Sequence, residues 1–356
     1  MYLPIDIIAR ENPSQSQRYI TADAKNLMRW YKIMTEQQNL CTMLRNANIH
    51  FAVVKGASAA SHYTNPQRRT FGDIDILVLP ESFDTACSLV SDGAEYIGEN
   101  SRHKEYKRNG IVVEIHQAFS TFRDTSKKEI FDQRIFNSIL SAETVSVENF
   151  TFPRLPVAEH GLTLLEHIDY HLEDGLGLRQ IIDWMMFVDR EMTDELWYND
   201  FAPFLQKIDR EKLAKTLTRM CQMYLGLRTD IAWCEDADED LCQELIEYVL
   251  NQGNFGRKNQ EGSNRAVAII GSSGNLFSLL RILQSLGCEN WEILERFPFL
   301  RCFAWLHQIF RYIRKGLDTK HPLRFLKSAI RRSKSQSDFF ERLGVTRLAD
   351  KGKKVR

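Results

Sequence analysis

Between Ala24 and Asn46 the apolar residues fall at Leu27, Met28, Trp30, Tyr31, Met34, Leu40, Met43 and Leu44. That spacing is close to the 3.6-residue period and predicts a helix within a helical region over 1–50. Phe51-Ala-Val-Val54 follows as a short buried strand, stopped by Lys55-Gly56, and a helix of small residues is expected from Ala57 to Tyr63. Asn65-Pro66 breaks it. A second strand is expected from Asp73 to Leu79, with Pro80 as its stop, and a helix from Glu81 to Ser91. Lys104 to Arg108 and Ile111 to Gln117 flank Asn109-Gly110, the strongest short-range signal of a β-hairpin. After Pro153 and Pro156 the pattern turns helical. Candidates are Val157 to His171, Leu178 to Arg190, Glu211 to Leu225, Asp238 to Leu250, Leu276 to Leu286 and Phe303 to Leu317, with a polar, Gly-rich loop from Asn251 to Asn264. No repeat period shows. The reading is α+β: a small mixed sheet with helices over 1–150, an all-helical domain over 151–330, and a tail over 331–356.

Composition narrows the class. The 356 residues are 26% charged and 43% hydrophobic, which is globular usage and excludes a collagen-like or low-complexity fibre. Mean hydropathy is −0.36, and no charge-free apolar run reaches the ~18 residues of a membrane span. Ala266 to Leu283, the longest apolar stretch, is interrupted by Gly271, Ser272, Ser273, Gly274, Asn275, Ser278 and Arg281. The first residues lack a basic segment followed by an apolar one, so no secretory signal is expected. Seven Cys at 41, 87, 221, 234, 242, 288 and 302 form no CxxC pair. That usage predicts free thiols in a reducing cytoplasm. The zero net charge hides an asymmetry: Arg311 to Arg356 holds 15 Lys and Arg against 4 Asp and Glu. Such a tail can meet phosphates on nucleic acid or a membrane surface. The plainer expectation is a solvated terminal helix.

The run Asp73-Ile74-Asp75-Ile76-Leu77-Val78 carries the most chemistry. Strand side chains alternate, so Asp73 and Asp75 share one face while Ile74 and Ile76 enter a core. Paired carboxylates on one strand face can converge on a hard cation. Glu114 and His116 share a face of the later strand, and Glu114 sits among aliphatic residues, unlike a plain surface acid. Three carboxylates on adjacent strands suit a two-magnesium site. His116 can relay a proton or orient a metal-binding carboxylate; orientation is favoured.

Upstream, Lys55-Gly56 makes a strand-to-helix turn, where Gly56 allows positive φ and close backbone approach to phosphate. Arg69 precedes the acidic strand and is expected to clamp a triphosphate, the alternative being a loop arginine paired with a nearby acid. Arg68 beside it is the weaker candidate. His167 and His171 stand at i, i+4, as do Arg179 and Asp183. The plain readings are a packed histidine pair and an ordinary helix ion pair. The aromatics Phe299, Phe303, Trp305 and Phe310 are expected mostly in a core, with an interfacial membrane helix as the alternative.

Lys55-Gly56, Tyr63, Pro66, Arg69 and Asp73-Ile-Asp-Ile-Leu-Val, with Glu114-Ile-His116 after them, resemble the uncharacterised nucleotidyltransferase family of the polymerase-β-like superfamily. His167-x3-His171, Leu178-Arg179, Asp183, Gly253-Asn-Phe-Gly256 and the segment from Phe297-Pro298 to Arg311 are similar to its downstream pattern. The resemblance is strongest over 51–117. It implies transfer of an NMP from an NTP with release of pyrophosphate. It also implies Asp73, Asp75 and Glu114 as ligands of Mg2+ or Mn2+, and Arg179 and Asp183 lining a cleft between the domains. Two departures stand out: Lys55-Gly56 replaces the superfamily's usual Gly-Ser, and the third acid is Glu rather than Asp. The acceptor is open. The rival expectation is a non-catalytic nucleotide-binding or interaction protein on the same fold. A nucleic-acid-binding regulator acting through residues 319–356 is a third.

Overall fold

A computed structural model of the chain describes residues 10–11, 13–122, 124–252, scattered positions between 280 and 293, 297–317 and 338–345. The loop expected over 251–264 lies almost entirely outside the described residues, as do much of the helix expected over 276–286, the Gly253–Gly256 motif and most of the basic tail.

The first long helix, α1, is Ser16–Asn46. Its buried stripe is Trp30, Ile33, Met34, Leu40, Cys41 and Leu44, whereas Met28 and Tyr31 are exposed. The stripe follows i, i+3, i+4, i+7 steps, and residues 28 and 31 fall on its flanks. A five-stranded mixed sheet follows, built from β1 (Phe51–Val54), β2 (Asp73–Val78), β3 (Glu95–Glu99), β4 (His103–Arg108) and β5 (Ile111–His116). The strand order is β1-β2-β5-β4-β3. β2 and β5 run parallel and the other neighbours antiparallel. The short helix α2 (Gly56–Ala60) follows β1, and α3 (Phe83–Ser91) follows β2. One sheet face carries Phe51, Val53, Ile74, Ile76, Val78, Val113 and Ile115 into a core with the α1 stripe and with Phe83, Ala86, Cys87 and Val90 of α3. The opposite face carries Asp75, Glu114 and His116 beside buried Ala52, Val54 and Leu77.

Helix α4 (Thr125–Ile139) and the hairpin β6 (Glu143–Val147) with β7 (Phe150–Arg154) complete this region. Three elements escape the hydrophobic pattern. β3 is an exposed edge strand with a register shift between Tyr96 and Gly98, an irregularity of the kind that blunts a sheet edge. In β7, Pro153 lies inside the strand opposite Thr144, where a two-stranded ribbon tolerates it. α4 is amphipathic but begins among Lys and Ser, capped by Asp124. Helices α5 (Val157–Asp174), α6 (Leu178–Glu191), α7 (Glu211–Leu225), α8 (Glu239–Gln252) and α9 (Ala304–Leu317) agree with the expected helices to within a few residues. A further helical stretch over 194–207 places Trp197 in a stack on Trp233, ring centroids 3.7 Å apart.

One compact unit holds Met1–Ile168, Leu178–Ile208 and Cys221–Asp236, and a second holds Asp169–Gly177, Asp209–Met220 and Ala237–Arg356. Helix α6 therefore belongs to the same unit as the sheet. In the second unit Arg210 pairs with buried Asp169, Nε to Oδ2 2.9 Å. Phe299, Phe303 and Phe310 are exposed around α9, against the expectation of a core, while Ala304 and Gln308 are buried among the described side chains there. All seven cysteines are free thiols. Among the described residues no helix is long and apolar enough to cross a membrane.

His62, after α2, and His160 of α5 are buried together with their Nε2 atoms 3.0 Å apart, so one donates and the other accepts. Burial and then Arg154 outweigh the opposing pull of Asp183 and, with a smaller push from Arg190, lower His62 to about 3. Burial and the neighbouring His62 and Arg154 push His160 well down too. An imidazole with a depressed folded-state pKa stays neutral while its unfolded counterpart takes up a proton. Stability from the pair is thus complete above pH ~6.5 and lost as pH falls towards 3. We expect urea-unfolding free energies to drop below pH 6.5 by up to ~1.4 kcal/mol per pH unit per imidazole. A His62→Asn/His160→Asn double variant should flatten that slope.

Candidate active site

The β2–β5 pairing sets the site. The parallel register places Asp75 beside Glu114 and Leu77 beside His116, so Asp75, Glu114 and His116 leave the sheet on one face. Asp73, two residues before Asp75, points the same way. Glu114 therefore lies on the side that the alternation of apolar residues predicted. His116 Nε2 stands 3.0 Å from Asp75 Oδ1 and 3.1 Å from Glu114 Oε2, bridging the two carboxylates. The hairpin register is fixed by its turn. Asn109 and Gly110 both have positive φ, 51° and 75°, the type I′ geometry that Asn-Gly favours. The buried carboxylate of Glu36 on α1 accepts from Arg108 Nε at 2.8 Å and Asn109 Nδ2 at 2.6 Å, holding the turn against the core. His103 then pairs with His116 and Glu105 with Glu114.

Lys55 sits at the end of β1 with φ 56° and ψ −124°. The left-handed backbone expected at Gly56 thus falls on Lys55. Such a backbone costs a non-glycine residue on the order of 1–3 kcal/mol and marks functional sites. The side chain offsets it by placing Nζ 2.6 Å from Asp75 Oδ1. Burial alone would lower the ammonium pKa, but Asp75 and Glu114 outweigh it and hold Lys55 above the usual lysine value. A Cβ on Gly56 would meet Phe71 at 3.5 Å and the Asp73 carbonyl at 3.7 Å, ordinary contact distances. Gly56→Ala should therefore change the unfolding free energy by less than ~1 kcal/mol in a urea titration.

The acids differ in their surroundings. Burial and the nearby Asp75 push the Asp73 carboxyl up, against Lys55, Arg69 and Arg179. No hydrogen bond or ion pair reaches its carboxylate among the described residues. Burial also acts upward on Glu114, but the His116 hydrogen bond and the charges of Lys55, His116 and His103 outweigh it and hold that carboxyl at about 2.

Arg69 is 5% exposed and its fork is filled by Asp183, Nε to Oδ1 at 3.1 Å and Nη2 to Oδ2 at 2.6 Å. The Tyr63 hydroxyl donates to the same Oδ1 at 2.7 Å. Arg69 is thus the paired arginine rather than an open clamp. Asp183 bonds Arg69 rather than Arg179, because α6 packs over the 63–73 segment and aims residue 183 inward. Arg179, half-buried one turn earlier, donates to the Thr70 carbonyl at 3.0 Å and makes no carboxylate ion pair among the described residues. Arg68 pairs with Asp23 on α1. His171 is buried against the Tyr170 ring, and neither it nor His167 joins a metal-competent group among the described residues.

His103, Glu105 and Asn100 are the site neighbours that the sequence reading passed over. A signal existed: His103-x-Glu105 and Glu114-x-His116 mirror one another across Asn109-Gly110. Oxygen donors from Asp73, Asp75 and Glu114 match what Mg2+ takes, and an ammonium already stands on Asp75 as a stand-in cation. These three acids are of the right donor type, but the ligand atoms that lie together among the described residues are those of His103, Glu114 and His116.

With this arrangement in view, comparison with known proteins is direct. The sequence profile of the uncharacterised nucleotidyltransferases matches residues 12–226. No curated protein matches the chain. Among solved structures, an antigenic nucleotidyltransferase-like protein from Paracoccidioides brasiliensis is similar at 18% identity, over 52% of this chain and 91% of that one, with a TM-score of 0.30. The profile spans the sheet, the acidic strand, Glu114 and helix α6, more than half of the sequence, and the chain belongs to the uncharacterised nucleotidyltransferase family.

Proposed function

We propose that the chain transfers an NMP from an NTP to an acceptor, releasing pyrophosphate. The observation that carries this reading is the meeting of Asp75 and Glu114 across two parallel strands, with Asp73 two residues before Asp75 on the same face. Asp73, Asp75 and Glu114 would hold Mg2+ or Mn2+. When bound, such ions neutralise phosphate charge and align attacking and leaving oxygens. The remaining work falls to the chain. Lys55 places a fixed positive charge at the floor of the site. Arg179, which makes no carboxylate ion pair among the described residues, offers the triphosphate a guanidinium. Arg69 acts through Asp183 and Tyr63, holding the loop before β2 so that Asp73 is presented at a constant angle. His116 keeps two carboxylates together through Nε2, an orienting role rather than that of a base. An acceptor hydroxyl or phosphate attacks the α-phosphorus in line, and the bond to pyrophosphate breaks.

The test of binding is a calorimetric NTP titration in Mg2+. Arg179→Ala is expected to weaken affinity by about 1.5–3 kcal/mol, the worth of charge-assisted bonds to phosphate. Unchanged affinity would remove Arg179 from the site.

A further inference from the structure

The β4–β5 hairpin brings a second donor set to the edge of the proposed site. His103 and His116 are cross-strand partners with ring centroids 4.8 Å apart, and they are 6% and 2% exposed. One donor atom from each of His103, Glu114 and His116 lies within 4.8 Å of the others. Glu114 Oε2 is 3.1 Å from His116 Nε2 and 3.9 Å from His103 Nδ1.

The tautomer of His103 makes this cluster unusual. Its Nε2 stands 2.9 Å from Glu105 Oε1 and 3.0 Å from Asn100 Nδ2. Asn100 Oδ1 accepts from the backbone N–H groups of Arg102 and His103, so its amide nitrogen, a donor, is the atom facing the ring. A carboxylate is the stronger partner for the ring proton, which places that proton on Nε2; the Asn100 amide nitrogen is then a second donor beside it and not its partner. Nδ1 is then a bare lone pair facing a carboxylate oxygen, buried and with no hydrogen-bond partner. Two acceptors confronting one another in a buried place are satisfied by a cation between them. A carboxylate holding the far nitrogen of an imidazole is also the outer arrangement that orients metal-ligating histidines.

We propose that His103 Nδ1, His116 Nε2 and Glu114 bind a divalent transition-metal ion of the zinc class, with Glu105 as the orienting carboxylate; the ion displaces the Nε2 proton that bridges Asp75 and Glu114 in its absence, so the two states of His116 are alternatives. Imidazole nitrogen suits Zn2+ and Co2+ and is a poor ligand for Mg2+. Three protein ligands leave a coordination position open, on the face shared with Asp75. The inference shares Glu114 with the proposed nucleotidyl-transfer site but stands without that reading, since it concerns ion binding by the chain alone.

The test is a Co2+ titration of the full chain, stripped by chelator and free of nucleotide, followed by visible absorption. One equivalent of Co2+ should give a ligand-field spectrum that Zn2+ abolishes and excess Mg2+ does not. His103→Gln should lose it. Asp73→Asn, which removes no donor of this group, should retain it. Glu105→Gln should weaken Co2+ affinity about 10–100-fold. It is the deciding variant if His103→Gln fails to fold in a circular-dichroism melt. No stoichiometric spectrum in the wild type overturns the proposal. So does a spectrum unchanged in the folded His103→Gln or Glu105→Gln variants, or one lost in Asp73→Asn. A failure of nucleotidyl transfer would leave these absorption readings unaffected, so the two proposals fail separately.

Discussion

Asp75→Asn is expected to lower NMP transfer by about 10²–10³-fold or more, the scale seen when one preorganised electrostatic group is removed from a site. The replacement is nearly isosteric. An amide oxygen can still accept from Lys55 Nζ, now at 2.6 Å from Asp75, and the flanking Ile74 and Ile76 are untouched in the core. The fold should therefore survive, with a lowered urea midpoint because the buried Lys55 ammonium keeps Glu114 but loses the charge of Asp75. What changes is charge: one of three negative groups that would hold a divalent ion is gone. Glu114 should keep its bond to His116, so part of the metal affinity remains. A variant that folds and transfers NMP at the wild-type rate would show that Asp75 is a partner of Lys55 and nothing more.

The largest expected stability effect lies at Asp183. Its two oxygens take Arg69 Nε, Arg69 Nη2 and the Tyr63 hydroxyl, all within 3.1 Å, and Arg69 is almost fully buried. Burial disfavours the charged guanidinium, but Asp183 outweighs it and holds the Arg69 pKa above its usual value. Asp183→Ala leaves that charge and a buried hydroxyl without their acceptor, which costs about 3–5 kcal/mol. Removing both charges together behaves differently, since a well-packed apolar pair escapes the desolvation cost. An Arg69→Met/Asp183→Leu double variant should recover most of the loss in a denaturant titration. It should still transfer NMP more slowly, because the segment leading to Asp73 loses its tie to α6. If the double variant is as unstable as Asp183→Ala, the cost lies in lost packing rather than in an unpaired charge.

The face of the acidic strand was legible because burial leaves a period of two. Ile74 and Ile76 alternate with Asp73 and Asp75, and Val113 and Ile115 bracket Glu114. Parity alone therefore placed all three acids on one side of the sheet. The Asn109-Gly110 turn was equally legible, since few residue pairs accept positive φ twice. Other features needed information that no local window holds. Arg69 and Asp183 are 114 positions apart, and nothing near Arg69 distinguishes a phosphate from a carboxylate as its partner. The left-handed backbone landed on Lys55 because the ammonium bond to Asp75 can hold a lysine where a glycine is expected. Strand β3 is exposed at a sheet edge, with Tyr96 and Ile97 on opposite faces among glutamates, so it carries no apolar period to read. His103 and Glu105 were within reach. Counting outwards from the Asn109-Gly110 turn pairs them with His116 and Glu114, but only once the hairpin is treated as a register and not merely as two strands.

The most direct test of nucleotidyl transfer follows two labels on one donor. The chain is incubated in Mg2+ with NTP labelled at the α-phosphate and, separately, at the γ-phosphate, with cell extract supplying acceptors. Transfer of an NMP predicts that α-label enters an acceptor while γ-label appears only in pyrophosphate, and that Asp75→Asn abolishes both. Entry of γ-label into the acceptor, or no transfer of either label above the Asp75→Asn background, would contradict it.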